Sequence, residues 1–206
     1  MKLIIITTET FFEGETEAIN LLFDNGLDTL HIRKHFASPD ETEFFIRQIK
    51  SEFHPRIVLH DYYSLAELYG LKGIHLNKRN QMIPKLPNGT LSSLRILSIS
   101  RSCHTFEDIQ ESMKCDYVFL SPIFDSISKT GYKQAFVPQQ LLEAKEQKII
   151  NEKVIALGGI TAANIPLAHR YGFGGIAVLG SLWSDFAAKR NESELLKRFN
   201  ELKNVI

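Results

Sequence analysis

Apolar residues fall along this chain in eight short runs, each ending in polar or glycine residues. The runs are Leu3–Ile6, Thr29–Arg33, Arg56–Leu59, Gly73–Leu76, Leu94–Ile99 and Tyr117–Leu120, then two that open at Val154 and Gly175. Runs of this length, apolar at nearly every position, suit strands buried on both faces of a parallel sheet. Between them the spacing turns helical. Ala18, Leu21 and Leu22 mark a helix over Glu15–Phe23, closed by Asn25-Gly26. Ser38-Pro39-Asp40-Glu41 opens another that should reach about Phe53. Leu65–Tyr69, Pro138–Ile149, Ala162–Tyr171 and Ser184–Lys203 read as further helices, and Thr105 with Asp108 reads as a capping box. Asn77–Gly89 is polar and proline-containing and predicts irregular loop, as does the Ser-, Lys- and Gly-rich Ser121–Phe136.

Strand-like runs alternating with helical ones give the βα pattern of a parallel sheet. An open doubly wound sheet would place a glycine fingerprint after the first strand. The chain has Thr7-Thr8-Glu9-Thr10 there, so the expectation is a single (β/α)8 barrel domain over residues 1–206. Such barrels carry their sites at the C-terminal ends of the strands, often with a phosphate site between the last two. Val154-Ile-Ala-Leu-Gly158-Gly159 and Gly175-Ile-Ala-Val-Leu-Gly180-Ser181 fit that place, because glycine lets backbone N–H groups approach an anion. The other strand ends read Thr7-Thr8, Arg33-Lys34-His35, His60-Asp61, His75, Ser100-Arg101-Ser102 and Ser121-Pro122. Positive charge, one carboxylate and glycine N–H groups on one mouth suit a phosphorylated small molecule, with a divalent ion between its oxygens and Asp61.

Composition narrows the partners. The 206 residues balance 24 basic against 24 acidic side chains, so no global charge recruits nucleic acid or an anionic membrane. Cys103 and Cys115 have neither metal nor disulfide spacing, which suits a reducing cytosol. No apolar run approaches the roughly 20 residues that span a bilayer, and the N-terminal run is too short for a signal peptide. The expectation is a cytoplasmic protein without nucleic-acid or membrane partners.

Several segments together resemble the thiamine phosphate synthases and their TenI-type relatives. They are Leu30-His-Ile-Arg-Lys-His35, His60-Asp-Tyr-Tyr-Ser-Leu-Ala66, Gly73-Ile-His-Leu76, Ser102-Cys-His-Thr105, Asp116-Tyr-Val-Phe-Leu-Ser-Pro-Ile-Phe124 with Ser126, Ser128 and Lys129, and Ala156-Leu-Gly-Gly-Ile160. The resemblance implies a transferase joining a pyrimidine diphosphate to a thiazole phosphate with release of pyrophosphate. It implies that Arg33 contacts the pyrophosphate, that Ser126, Ser128 and Lys129 bind phosphate oxygens, and that Ser102 lies near the pyrimidine. Gly158, Gly159, Gly180 and Ser181 would hold the thiazole phosphate, and Asp61 would hold Mg2+. The family's glutamine before the arginine is His31 here and its lysine two residues after is His35. Its asparagine before Asp61 is His60. Its second Mg2+ aspartate falls at Asn80, and Asn77 and Lys78 stand for a glycine and a glutamine.

The alternatives are plainer. His31, His60 and His75 invite a metal site with Asp61, against the commoner case of ordinary buried histidines. Arg33 can be a structural ion pair with Asp61 or Glu9, Asp61 a helix cap, the double glycine a tight turn, Lys129 a surface lysine. Trp183 suits packing or a homodimer interface, and Cys103 lacks an activating base. A TenI-type tautomerase is the second reading, and a non-catalytic thiazole phosphate binder the third. The tautomerase's proton-transfer histidine would fall near Ser121-Pro122. Proline cannot move a proton, so His60 or His75 would have to point into the mouth.

Overall fold

A computed structural model describes residues 1–82, 85–86, 89–90, 98–112, 114–125 and 134–206. Eight parallel strands close into a barrel: β1 (Lys2–Ile6), β2 (Thr29–Ile32), β3 (Ile57–Leu59), β4 (Gly73–Leu76), β5 (Ser98–Cys103), β6 (Tyr117–Leu120), β7 (Val154–Leu157) and β8 (Gly175–Val178). Each strand pairs with its sequence neighbours, and β1 closes the ring on β8. The helices include α1 (Glu15–Asp24) and α2 (Pro39–Gln48). The (β/α)8 expectation holds.

Alternation along the strands divides the core. Leu3, Ile5, Leu30, Ile32, Leu59, Ile74, Val118 and Ile176 face the helices. Ile4, Ile6, Tyr117, Phe119, Ile155 and Ala177 fill the barrel interior. Each such buried side chain contributes about 1.5–3 kcal/mol. Gly73 and Gly174 are fixed by neighbouring backbone, since a Cβ would come within 1.9 Å of the Ser98 and Glu152 carbonyl oxygens.

Four elements depart from the pattern-based expectation. Among the described residues the fifth strand is Ser98–Cys103, which runs four residues past the expected end at Ile99; residues 94–97 of the expected run lie outside the described residues. Its inward positions are Ser100 and Ser102, bonded to His75, so a search for apolar runs passes over it. The second helix stops at Gln48 and a 3-10 turn over Ser51–Arg56 follows, because Pro55 lacks the N–H an α-helix needs. The closing helix is three pieces, Gly180–Trp183, Phe186–Lys189 and Glu192–Lys203, separated where Asp185 (φ 63°) and Arg190 (φ 46°) turn left-handed. Within Asn77–Gly89 there is order: Asn77 and Asn80 exchange backbone hydrogen bonds at 3.0 Å, and Lys85–Leu86 pairs antiparallel with Gly89–Thr90. Both capping boxes form, at Ser38/Glu41 and Thr105/Asp108.

Lys34 turns away from the mouth. Its Nζ lies 2.7 Å from both oxygens of Glu15, the first residue of α1, and donates to the Thr10 carbonyl at 2.9 Å. Burial lowers the pKa of Lys34 and raises that of Glu15, each opposed by the partner's charge. Removing one partner of such a pair costs about 3–5 kcal/mol. The pair clamps the β1–α1 loop against the end of β2, which fixes Thr8 and Glu9 at the mouth.

Candidate active site

Because all eight strands run the same way, their C-terminal ends share one face. A cavity of about 570 Å³ opens there, lined by Gly158, Gly159, Gly180 and Ser181 from the β7 and β8 ends. Across it stand Thr8, Glu9, Arg33 and Lys78, with His104, Ser121 and Pro122 at the ends of β5 and β6. The double glycine is demanded by backbone. Gly158 and Gly159 have φ of 96° and 65°, and a Cβ on Gly159 would come within 2.3 Å of the Asp125 carbonyl oxygen. The Gly158 carbonyl accepts from Phe124 N–H at 3.1 Å, and Asn164 ties the Gly159 carbonyl at 2.8 Å. Ser181 Oγ is buried and has no hydrogen-bond partner among the described residues. An orphaned hydroxyl on the wall of a cavity suits an oxyanion ligand.

The β2–β4 side is built from charged side chains. Arg33 is anchored by its backbone N–H on Thr7 Oγ1 at 2.9 Å, and its guanidinium pairs with Glu9 and not with Asp61. Burial lowers the His35 pKa; Arg33 and Arg79 lower it further while Glu9 and Asp61 oppose them, so these charges surround one imidazole. Asp61 accepts from Arg79 Nη2 at 3.3 Å and from Asn80 Nδ2 at 2.8 Å. Asn80 Nδ2 also reaches the His60 carbonyl at 3.2 Å. Both its partners are acceptors, which turns the amide nitrogen toward Asp61. Mg2+ takes oxygen ligands only. As folded, Asp61 and Asn80 do not fit that ion: a guanidinium and an amide N–H occupy the carboxylate a metal would use.

Beneath the mouth His31, His60 and His75 meet inside the barrel. His31 Nδ1 lies 3.0 Å from His60 Nε2, and His31 Nε2 lies 2.7 Å from Tyr117 Oη. His75 bonds Ser100 Oγ and Ser102 Oγ, both at 2.8 Å. Burial holds all three imidazoles neutral, with His75 pushed down to about 3 and Arg33 adding to the effect there. Neither His60 nor His75 lines the cavity. Cys103 is buried against Ser112, with its thiol pushed up to about 11 by burial, and is inert. Trp183 is packing: it is buried and donates to the Ile6 carbonyl at 2.8 Å.

The family profile for thiamine monophosphate synthase matches residues 3–182. The chain belongs to that family. A crystal structure of thiamine phosphate pyrophosphorylase from Bacteroides thetaiotaomicron is 39% identical, with a TM-score of 0.84, over 100% of this chain and 97% of that one. A thiamine-phosphate synthase from Bacteroides fragilis is 25% identical over 88% of this chain and 92% of its own. The thiamine phosphate pyrophosphorylase of Pyrococcus furiosus, at 22% identity and a TM-score of 0.74 over 99% and 94% of the two chains, shares the fold.

Among the positions the family resemblance singles out, the structure brings Arg33, Gly158, Gly159, Gly180 and Ser181 onto one cavity. Asp61 and Asn80 bond each other, whereas Ser102 and His31 belong to the histidine cluster below. His35 stacks on Phe36, ring centroids 3.9 Å apart. Ser126, Ser128 and Lys129 lie outside the described residues. Reasoning from strand ends passed over three cavity groups. Glu9 stands in the sequence as a loop residue and ion-pair partner of Arg33, Lys78 as a replaced glutamine, and His104 as part of the family-like segment Ser102–Thr105. Arg79 carried no signal of its own, yet sits next to Asn80 on the turn that meets Asp61.

Proposed function

We propose that the chain is a thiamine phosphate synthase, a transferase that joins hydroxymethylpyrimidine diphosphate to thiazole phosphate in thiamine biosynthesis. The observation that carries this is the single cavity with a glycine cradle and an orphaned Ser181 hydroxyl on one wall and Arg33 and Lys78 on the other. The cradle suits the thiazole phosphate and the cations suit the diphosphate. The bond between the pyrimidine methylene carbon and the diphosphate oxygen breaks, and its electron pair leaves with pyrophosphate. The thiazole nitrogen then gives its pair to the cationic carbon. Arg33 and Lys78, with Ser126, Ser128 and Lys129 as further proposed ligands, stabilise the charge that builds on the leaving group. Glu9 neutralises Arg33 until the diphosphate competes for it.

Magnesium is the cofactor the family implies. Since Asp61 faces Arg79 and Asn80, the charge on the leaving group falls to the side-chain cations. A homodimer and residence in the cytoplasm belong to the same proposal; among the described residues no helix is long and apolar enough to cross a membrane. Purified protein with both precursors should release pyrophosphate and form thiamine phosphate, and omitting either should abolish both products. No product under any metal condition would sink this reading.

One observation favours the TenI-type tautomerase. His104 lines the cavity beside Ser121 and Pro122, its Nδ1 3.0 Å from the Ser121 carbonyl, which puts an imidazole where Pro122 offers none. Isomerisation of thiazole carboxylate phosphate that disappears in His104→Ala would move the assignment there.

A further inference from the structure

We propose that His31, His60 and His75 form a binding site for one zinc-class transition-metal ion, separate from any magnesium at the mouth. The three residues come from successive strands, β2, the end of β3 and β4, and one ligand nitrogen from each lies within 4.8 Å of the others. A tetrahedral ion with bonds of 2.0–2.1 Å needs nitrogens about 3.4 Å apart, so a gap of 4.8 Å closes by about 1.4 Å as His60 and His75 rotate out of their stack, ring centroids 4.2 Å apart. His31 Nδ1 and His60 Nε2 are already 3.0 Å apart.

The hydrogen bonds behind the rings set the protons as a metal requires. Ser100 Oγ lies 3.3 Å from the Ile74 carbonyl, to which it can donate while accepting from His75 Nδ1–H at 2.8 Å. In that tautomer the His75 Nε2 lone pair accepts from the Ser102 hydroxyl at 2.8 Å, a contact an ion would take over. Tyr117 Oη lies 2.7 Å from His31 Nε2, and as acceptor of Nε2–H it gives the tautomer with a lone pair on Nδ1. Outer partners of this kind orient ligating imidazoles and fix their tautomers. Burial keeps all three rings neutral, the form that binds metal. Phe119 walls the cluster below, its ring centroid 4.8 Å from those of both His31 and His75. Ser102, half-buried at the mouth side, leaves a fourth position for its own hydroxyl, water or a substrate oxygen. Imidazoles without a carboxylate select zinc, cobalt or nickel over magnesium, and the inference stands whichever reaction the mouth performs.

The test uses the full chain, stripped with chelator and titrated with Co2+. One equivalent should give the visible bands of a four-coordinate ion, and Zn2+ should displace it. His60→Asn and His75→Ala should abolish the bands. Tyr117→Phe, which removes only the group behind His31, should weaken binding about 10- to 100-fold. Should the variants fail to fold, X-ray absorption at the zinc edge of the unaltered protein counts the imidazoles directly. Three support the proposal. An all-oxygen shell, no stoichiometric binding, or bands that persist in folded His60→Asn and His75→Ala would overturn it and leave the cluster a proton-sharing network.

Discussion

The two sides of the barrel mouth are made of different material. At the ends of β7 and β8 the wall is backbone: Gly158 and Gly159 at positive φ, locked against Pro122, Phe124 and Asp125 with no room for a Cβ. At the ends of β2–β4 the wall is side chain, where Arg33, His35, His60, Asp61, Arg79 and Asn80 trade hydrogen bonds and charges. A backbone wall admits almost no substitution, whereas a side-chain wall can change its chemistry without moving a strand. The family resemblance divides along the same line. By that resemblance the cradle glycines are kept, while a glutamine, a lysine, an asparagine, a glycine, a second glutamine and an aspartate are replaced by His31, His35, His60, Asn77, Lys78 and Asn80. What the glycine wall requires is a main-chain shape; what the other side requires is a charge arrangement, and several sets of residues can supply one.

The sharpest way to break this contrast is Gly159→Ala. A methyl there meets backbone oxygen at 2.3 Å in a left-handed conformation, and strain plus overpacking should cost about 3 kcal/mol of stability. Thiazole phosphate affinity should fall with it, read by calorimetry; a stable variant that binds normally would mean the cradle is not backbone-determined. Next is Arg33→Ala, which removes a charge-assisted donor facing the cavity. It should lower kcat/KM by about a hundredfold, or roughly 2.7 kcal/mol, with little change in thermal stability.

The third concerns the buried imidazoles. Their folded pKa values lie below the unfolded value, so on acidification the unfolded chain takes up protons that the folded chain refuses. Their contribution is complete above about pH 6.5 and falls away below it, towards about 3 for His75. In metal-free protein the slope should reach at least 1.4 kcal/mol per pH unit between pH 6 and about 4.5. Urea midpoints across that range measure it, and His31→Gln with His60→Asn should flatten the curve. A flat curve in the unaltered chain would place the rings in contact with water. The smallest effect belongs to Asn80→Asp. A second carboxylate beside Asp61 should raise the response of the rate to Mg2+ a few fold, about 1 kcal/mol; an unchanged response would remove Asn80 from the site.

Much of this was legible in the chain. Seven of the eight strand runs, both capping boxes, Gly26 at a helix end and the glycines of the cradle are local signals, written within a few residues of where they act. They point to the barrel and to the glycine-walled side of its mouth. Tertiary closure decided the rest. It carried the fifth strand through Ser100 and Ser102, whose inward hydroxyls meet His75. It turned Lys34 onto Glu15 and left Arg33 at the cavity, set Arg79 against Asp61, and gathered three histidines from separate strands around Tyr117 and Phe119. Periodicity reports which face of an element is apolar, because that depends on neighbours three or four residues away. Which polar side chain meets which depends on partners 86 residues apart for His31 and Tyr117 and 177 apart for Arg190 and Glu13, and those partners meet only when the ring of strands closes.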